Sequence, residues 1–472
     1  MEKKAIHPEN FEERVVWYAI VWTYLFYLLG ALYIVAPVVG WLMIIYLIKK
    51  IWQQAPDKLT HKVVIPWGVW VWVVSMLAML LALLLGHLDW ELGTGKTIKS
   101  SVGWAKGWAL MAVFPLIGCL NIRPQIIYRA TSIVCLQTIC IFPFLFIAYL
   151  LQLPQELYIS PLQIIGGPGP EFFRVSLYSI TPQGGVRWFL FAPWAPALGF
   201  IATIYLLFSL QERKGWFLAG FLGSLLMIVI CVSRLAFVAA LVVPLALYFI
   251  SNIFKLSTLV QAAVGSIFAG IFGPTLLMYL DNLFSSLRAA RINSSRVRET
   301  LGRIAVERWQ TEAPIWGHGI VERGPHLVEY MPIGSHHSWF GLLFVKGIVG
   351  FIALAVALFF SFVELLIKSQ TSETAKVGLG VVMILFLYTF GENLEILSYL
   401  FWPGLIILGI AHKEPYGEAI EDSISENPSN LRKEIAHPKA AVHRRTEKTE
   451  KESSQINPEQ ENRMNFIGGF NE

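Results

Sequence analysis

Long apolar runs separated by short polar segments make up most of the chain as far as about residue 411. A helix needs about 20 apolar residues to cross the hydrocarbon core of a bilayer. By that measure the sequence predicts an all-α, polytopic transmembrane bundle of about twelve spans. The predicted spans are 15–32, 33–49, 63–86, 102–120, 125–151, 187–209, 214–231, 233–251, 256–281, 339–366, 375–391 and 394–411.

Two apolar runs are too long for a single span. Gly30, Pro37 and Gly40 weaken the first run as one helix, so it is divided into two spans. Ser233 and Arg234 interrupt the run from Trp216 to Ile250 in the same way.

Lysine and arginine in the short loops set the expected orientation. If the N-terminus is in the cytoplasm, the short cytoplasmic loops are rich in Lys and Arg. The short outward loops are poorer in Lys, with Lys96 and Lys99 as exceptions. The predicted organisation is a cytoplasmic N-terminus 1–14, spans one to nine within 15–282, an outward loop 283–338, spans ten to twelve within 339–411 and a disordered cytoplasmic tail 412–472. A further outward loop, 152–186, is expected to form a cap with little chemistry of its own.

Composition supports a lipid environment. Hydrophobic residues make up 55% of the 472 residues and charged residues only 15%, against about 25% charged in a soluble domain. The net charge of +5 gives no reason to expect a nucleic-acid partner. Asp occurs only four times, never as an Asp-x-Asp pair, and the four Cys have no metal-type spacing.

The outward loop 283–338 breaks the charge pattern, because it contains seven Arg and no Lys. A guanidinium offers a planar fork that grips phosphate with two hydrogen bonds and stays charged. The stretch from Ser285 to about Gln310 is predicted to be helical. Arg291 and Arg298 are seven residues apart and would share one side of that helix, as would Arg296 and Arg303. An amphipathic helix resting on anionic headgroups is the alternative interpretation. The arginines are Arg288, Arg291, Arg296, Arg298, Arg303, Arg308 and Arg323.

Three further features are candidate site residues. Arg234 lies within an apolar run. An ionisable side chain at membrane depth indicates a functional site; alternatively, Arg234 marks the outward end of a span and extends its side chain towards the surface. His336 and His337 end the loop, and histidine is well suited to accept a proton near neutral pH. Glu392 and Glu395, between the last two spans, are candidate cationic-substrate or proton sites, or residues that cap a helix or pair with an Arg.

A metal site is not predicted. His318 and His326 lie in the same loop, but no HxxxH or HExxH spacing supports coordination and carboxylates are sparse. No cofactor is predicted either.

Three motifs occur in an order that resembles the O-antigen ligase and O-antigen polymerase superfamily. Pro314–Gly319 resembles that family's P-x-x-G-x-G turn, and His336–Leu343 its H-N-S-Y-L segment. A G-x-x-G follows at Gly347–Gly350, eleven residues after His336, and Ser233-Arg234 is similar to the family's Ser-Arg pair. The resemblance covers roughly residues 190 to 410.

The chain also departs from the family pattern. His337 stands where the family usually has Asn, and the spacing favours His336 as the acting histidine. The family's loop arginine falls nearest Arg298 with a slip of one residue, so Arg303 and Arg308 are alternatives.

The resemblance implies a glycosyltransferase of the bacterial inner membrane that uses a glycan on polyprenyl pyrophosphate, usually undecaprenyl. His336 would be the general base, and Arg234 with Arg298 or Arg303 would hold the pyrophosphate without a metal. Arg308, His337, Arg291 and Glu392 are the expected substrate-binding residues.

The implied reaction is polymerisation or ligation of surface polysaccharide for the cell envelope. The expected partners are the lipid-linked donor, a glycan or lipid-linked acceptor, membrane lipids and other polysaccharide-assembly proteins. The competing hypothesis is a transporter of an anion or of the lipid-linked glycan, with Arg234 and Glu392 as coupling residues.

Overall fold

The structure, a computed structural model, describes residues 6–54, 62–181, 184–253, 255–289, 292–328, 330–334 and 336–416. Within those ranges it does not describe the side chains of 269, 274, 276, 277, 280–289, 292–295 and 327. Arg291 and nearly all of the predicted tail 412–472 lie outside the described residues.

The described part of the chain is mostly helical. Its α-helices are α1 (Phe11–Val21), α2 (Thr23–Leu28), α3 (Leu32–Trp52), α4 (Trp67–Asp89), α5 (Thr94–Lys106), α6 (Leu110–Gly118), α7 (Pro124–Leu150), α8 (Ala195–Ser209), α9 (Lys214–Cys231), α10 (Arg234–Ile250), α11 (Leu256–Ala289), α12 (Ile292–Glu312), α13 (Ser338–Lys368), α14 (Glu373–Tyr388) and α15 (Leu394–Lys413). The four short strands are β1 (Glu156–Ile159), β2 (Arg174–Ser176), β3 (Ser179–Ile180) and β4 (Val186–Arg187).

Seven of the described helices are long and apolar enough to cross a membrane, namely α3, α4, α7, α9, α11, α13 and α15. Their length and composition identify a membrane-embedded, helical protein, as the apolar runs predicted. Two shorter apolar helices, α8 and α10, accompany them.

Three of the predicted spans differ from the helices observed. Segment 15–32 is covered by α1 and α2, which meet at Trp22, and segment 102–120 by α5 and α6, which meet around Gly107. Segment 187–209 becomes helical only at Ala195. Pro193 and Pro196 explain that late start, because proline is tolerated in the first turn of a helix but not in its interior.

The segment predicted as the loop 152–186 carries the small amount of sheet. β1 pairs antiparallel with β2, and β3 pairs antiparallel with β4. Two hydrogen bonds hold the segment to α2 and the residue after it: Tyr27 Oη donates to the carbonyl of Ser176 at 3.1 Å, and Ser160 Oγ donates to the carbonyl of Leu29 at 3.0 Å. The described part of the segment is therefore ordered.

Helices α8 and α15 form the centre of the bundle, since they are buried on nearly every side. Helix α13 packs against α4 and α14, and α15 packs against α6 and α14. This packing brings the first residues of α8, α10, α13 and α15 and the last turn of α14 to one end of the bundle.

A buried polar network fixes the other end of three of these helices. Trp72 Nε1 of α4 donates to Ser361 Oγ of α13 at 2.8 Å, and Ser361 Oγ lies 3.1 Å from His412 Nε2 of α15. His412 Nδ1 lies 2.9 Å from Glu364 Oε2, and Lys368 Nζ donates to Glu364 Oε1 at 2.6 Å. The groups satisfy one another, as buried polar atoms must.

Candidate functional site

Ser338, the first residue of α13, holds the loop between α14 and α15 in place. Its backbone N–H donates to the carbonyl of Thr389 at 2.9 Å, and its hydroxyl donates to the carbonyl of Glu392 at 2.7 Å. The same hydroxyl accepts from the backbone N–H of Leu394 at 3.0 Å. The loop 389–393 is thus fixed beside the histidine pair that precedes α13.

Glu392 is a buried carboxylate in that loop, only 2% exposed. Trp194, which caps α8, donates its indole N–H to Glu392 Oε2 at 2.9 Å. Burial raises the pKa of Glu392 to about 7, against the opposing effects of the Trp194 hydrogen bond and the positive charge of Arg298. Glu392 can therefore carry or release a proton near neutral pH.

His336 lies in the turn before α13 and is half-buried. Burial lowers its pKa to about 4, and the positive charge of Arg298 contributes to the same shift. The imidazole is therefore neutral at pH 7. Arg298 is near enough for its charge to act on both His336 and Glu392, and the hydrogen bond from Ser338 to the carbonyl of Glu392 holds the Glu392 loop beside the histidine pair.

His337 has a different environment. Its ring stacks on Phe340 with centroids 4.0 Å apart and meets the edge of Phe390 at 5.7 Å. Its Nδ1 accepts the backbone N–H of Phe340 at 3.4 Å, which caps α13. Burial lowers its pKa to about 4. These contacts give His337 a role in helix capping and leave His336 as the better-placed proton acceptor.

Helix α12 presents its arginines on two different faces. One face packs on the start of α13 through Val297, Leu301 and Ala305. At about 100° per residue, Arg298 lies beside this packed face, whereas Arg296 and Arg303 lie on the opposite side. All three side chains are exposed, but only Arg298 acts on the buried groups at the end of the bundle.

Arg308 is already engaged by carboxylates. It forms salt bridges with Glu312 at 2.8 Å and Glu322 at 2.6 Å, and its guanidinium lies 5.1 Å from the centre of the Phe344 ring. These contacts raise its pKa further above the ordinary value for arginine. Arg308 therefore ties α12 to the following turn. Arg291, the remaining predicted arginine, lies outside the described residues.

Arg234 is the first residue of α10, as the predicted break at Ser233-Arg234 implies. Val232 adopts a left-handed conformation with φ of 49°, which ends α9 and turns the chain. Leu235, the next residue, packs beside Gly391, where a Cβ would come within 2.8 Å of its side chain. The half-buried Arg234 therefore starts its helix next to the loop that carries Glu392.

The turn Pro314–Gly319 inserts into a break in α13. Gly347 has φ of 60° and ψ of −160°, so it interrupts the helix. The N–H of Ile348 donates to the carbonyl of Pro314 at 3.0 Å, and the carbonyl of Phe344 accepts from the N–H of His318 at 2.8 Å. In an unbroken helix those two groups of α13 would bond to each other. The turn replaces that bond, so these two motifs form one structural unit.

His318 has its place inside this unit. Its ring lies between Trp90 and Phe344, with centroid distances of 5.0 and 4.2 Å. Its Nε2 lies 2.7 Å from Glu312 Oε2, whose pKa is lowered to about 2 by hydrogen bonds from Arg308 and His318. His318 is thus a packed structural residue.

No group of three or more His, Cys, Asp or Glu side chains within the described ranges is arranged to hold a metal ion. Helix starts and arginine are the features here that favour an anion. The N–H groups at the first turn of a helix carry partial positive charge, and α8, α10, α13 and α15 all begin at this end.

Two positioning residues were not predicted to act at the site, namely Trp194 and Ser338. Ser338 belongs to the segment His336–Leu343, and its place in that motif was a usable signal. Trp194 lies about 200 residues before Glu392, and nothing local in the sequence links the two. Comparison with protein-family models and with curated protein sequences finds no match.

Proposed function

We propose that this chain is a membrane glycosyltransferase that uses a glycan on polyprenyl pyrophosphate to polymerise or ligate surface polysaccharide. The observation that carries the proposal is the convergence of Arg298, His336 and Glu392 at one end of the bundle. A neutral base, a guanidinium and a buried carboxylate suit transfer with an anionic leaving group.

In the proposed reaction, His336 accepts the proton of an acceptor hydroxyl as that oxygen bonds to the anomeric carbon of the donor glycan. The bond between that carbon and the pyrophosphate oxygen breaks, and polyprenyl pyrophosphate leaves with the bonding electrons. Arg298 and Arg234 stabilise the charge on the leaving group. The proton then passes from His336 to water, and the base is regenerated.

The low pKa of His336 in the free protein fits this sequence of events. A base works best when its pKa is near the operating pH. Arg298 is one cause of the lowering, so a bound pyrophosphate beside Arg298 would offset its positive charge. Donor binding would then raise the pKa of His336 towards its ordinary value.

Twelve passes through the inner membrane are part of the proposal. The seven long helices would be joined by α8, α10 and α14, by the pair α1–α2, and by a pass formed by α6, with α5 lying at its outward end. With a cytoplasmic N-terminus and alternating passes, even-numbered passes begin on the outward side, and these include α8, α10, α13 and α15. Those are the helices whose first residues meet at the candidate site, so this arrangement would put the site on the outward surface.

The experiment that tests the function supplies the purified full chain with a polyprenyl-pyrophosphate-linked repeat unit in the presence of EDTA and without nucleotide. A ladder of longer lipid-linked glycans would identify a polymerase, and transfer to a separate acceptor would identify a ligase. Loss of activity in EDTA would contradict the metal-free mechanism. If the donor crossed the bilayer of a vesicle unchanged, the chain would be a transporter and the proposal would be wrong.

A further inference from the structure

Helix α5 has an exposed surface that the proposed reaction does not use. None of its residues from Thr94 to Lys106 is buried. One face is fastened to α4, since Thr97 Oγ1 lies 3.3 Å from His87 Nδ1 and Trp104 Nε1 donates to the carbonyl of Met76 at 3.0 Å. On the opposite face, Lys106 in the last turn donates to the carbonyl of Gly166 at 3.0 Å. The rest of that face is open among the described residues, since a Cβ added at Gly95 or Gly103 would meet nothing within 4 Å.

That free face is divided into two strips. At about 100° per residue, Ile98 and Val102 form an apolar strip, and both side chains are exposed, by 66% and 48%. Lys96 and Lys99 form the adjoining basic strip and are also exposed. Neither lysine has an ion pair with a carboxylate in the described part of the chain. An apolar strip bordered by lysines is typical of helices that lie at a membrane surface.

The connection to α4 places this surface at the edge of the bilayer. Helix α4 has 23 residues, which at about 1.5 Å per residue gives a length close to the thickness of a bilayer's hydrocarbon core, about 30 Å. Helix α5 begins at Thr94, directly after α4 ends at Asp89. Lys96 and Lys99 therefore lie at the level where acyl chains give way to headgroups.

We propose that the free face of α5 binds the headgroups of anionic phospholipids, with Ile98 and Val102 in the acyl-chain boundary and Lys96 and Lys99 on the phosphates. Charge complementarity selects this occupant, because a neutral bilayer would give the lysines no counter-charge. It also accounts for two lysines that are exceptions to the expected loop charge pattern.

The bound lipid would adjoin the candidate site. The end of α4 packs on the turn Pro314–Gly319, since His87 Nε2 lies 3.1 Å from the carbonyl oxygen of Gly319. Trp90, just after α4, stacks on His318. The headgroup surface of α5 is therefore continuous with the turn that locks the break in α13.

Amide hydrogen exchange of residues 94–106 tests the proposal on the purified full chain in nanodiscs. One set of discs contains phosphatidylcholine alone and the other adds phosphatidylglycerol. A surface lysine contributes about fivefold in affinity for an anionic membrane. We therefore expect exchange in 94–106 to be at least about fivefold slower in the anionic discs, and the difference to shrink at 1 M salt.

The variant Lys96→Gln/Lys99→Gln is expected to abolish the difference between the two discs. The matched control, Lys214→Gln/Lys255→Gln, removes two exposed lysines at α9 and α11 and should keep it. Equal exchange of the wild type in both discs would overturn the proposal. So would a difference that survives in Lys96→Gln/Lys99→Gln, or one that the control removes equally. No turnover is measured, so the result is independent of the proposed reaction.

Discussion

The predicted site residues differ in whether their side chains are already engaged in structural contacts. His337 caps and stacks on α13, and Arg308 is held by two carboxylates. His336 is within range of the charge of Arg298, which also acts on Glu392. These differences favour His336 as the proposed base and Arg298 as the proposed pyrophosphate-binding residue.

The pH dependence of the proposed reaction would distinguish the two candidate proton acceptors, His336 and Glu392. His336 has a pKa of about 4 in the free protein, so its basic form is present at higher pH and is lost as the pH falls through 4. We expect kcat/KM, measured from pH 4 to 9, to stay high through neutral pH and to fall only near pH 4. Glu392→Gln should keep that acid limb. An acid limb near pH 7 that Glu392→Gln removes would assign the proton to Glu392 instead.

Arg298 and Arg303 form a matched pair of exposed arginines on opposite faces of α12. Arg298→Gln is expected to lower kcat/KM for the lipid-linked donor roughly 100-fold, because it removes a donor to the leaving group. Arg303→Gln should change it less than about twofold. Steady-state kinetics on both variants checks this expectation. Equal losses in the two variants would contradict the assignment to Arg298.

Among the helices, α13 is interrupted at Gly347. A helix in a membrane can open only where other groups satisfy its backbone. The turn Pro314–Gly319 does this at Gly347. Lys346, next to the break, is buried with its Nζ 3.9 Å from Glu395 Oε1 of α15. Two of the sequence motifs that resemble a family signature therefore have a packing role in this structure.

Gly347→Ala is expected to destabilise the protein strongly. A Cβ at this position would lie 2.2 Å from the carbonyl oxygen of Ile315, and the backbone conformation favours glycine. The backbone strain alone costs about 1–3 kcal/mol. Thermal unfolding in detergent should show a clear fall in Tm. Gly103→Ala, with open space around the new Cβ, is the control and should leave Tm unchanged or raised. An unaltered Tm in Gly347→Ala would mean that the break is not required.

At the scale of the whole molecule, alternate passes predict which surface each loop faces. Val321 is 55% exposed in the segment after α12, and Thr371 is exposed between α13 and α14. In a Cys140→Ser background, Val321→Cys should react with a membrane-impermeant maleimide in right-side-out vesicles. Thr371→Cys should react only after the membrane is opened. Reaction of both sites in sealed vesicles would contradict the proposed arrangement of passes.

Run length predicted the long helices well, because lipid demands continuous apolar surface over a fixed thickness. The bounds of α3, α4, α9 and α13 follow from that demand. The length of the apolar runs could not predict that helices break at Trp22 and around Gly107, because both residues lie within or beside segments whose average hydropathy is apolar. The start of α8 at Ala195 depended on proline positions rather than on hydropathy.

The composition of the candidate site could be predicted from the sequence, but its assembly could not. The Arg-rich composition of the loop 283–338, which was expected to face outward, made Arg298 a candidate, and the adjacent pair His336-His337 made His336 one. Their approach to Glu392 depends on contacts between distant segments, through Trp194 and Ser338. Such contacts are set by helix packing, which one sequence does not reveal.

Release of polyprenyl pyrophosphate by the wild type and by His336→Ala, measured together with glycan transfer, tests the proposed reaction most directly. The wild type is expected to release one polyprenyl pyrophosphate for each glycan that it transfers. A His336→Ala variant that keeps the wild-type Tm should show only background rates for both products. Unchanged transfer by His336→Ala, or transfer without release of polyprenyl pyrophosphate, would contradict the proposed reaction.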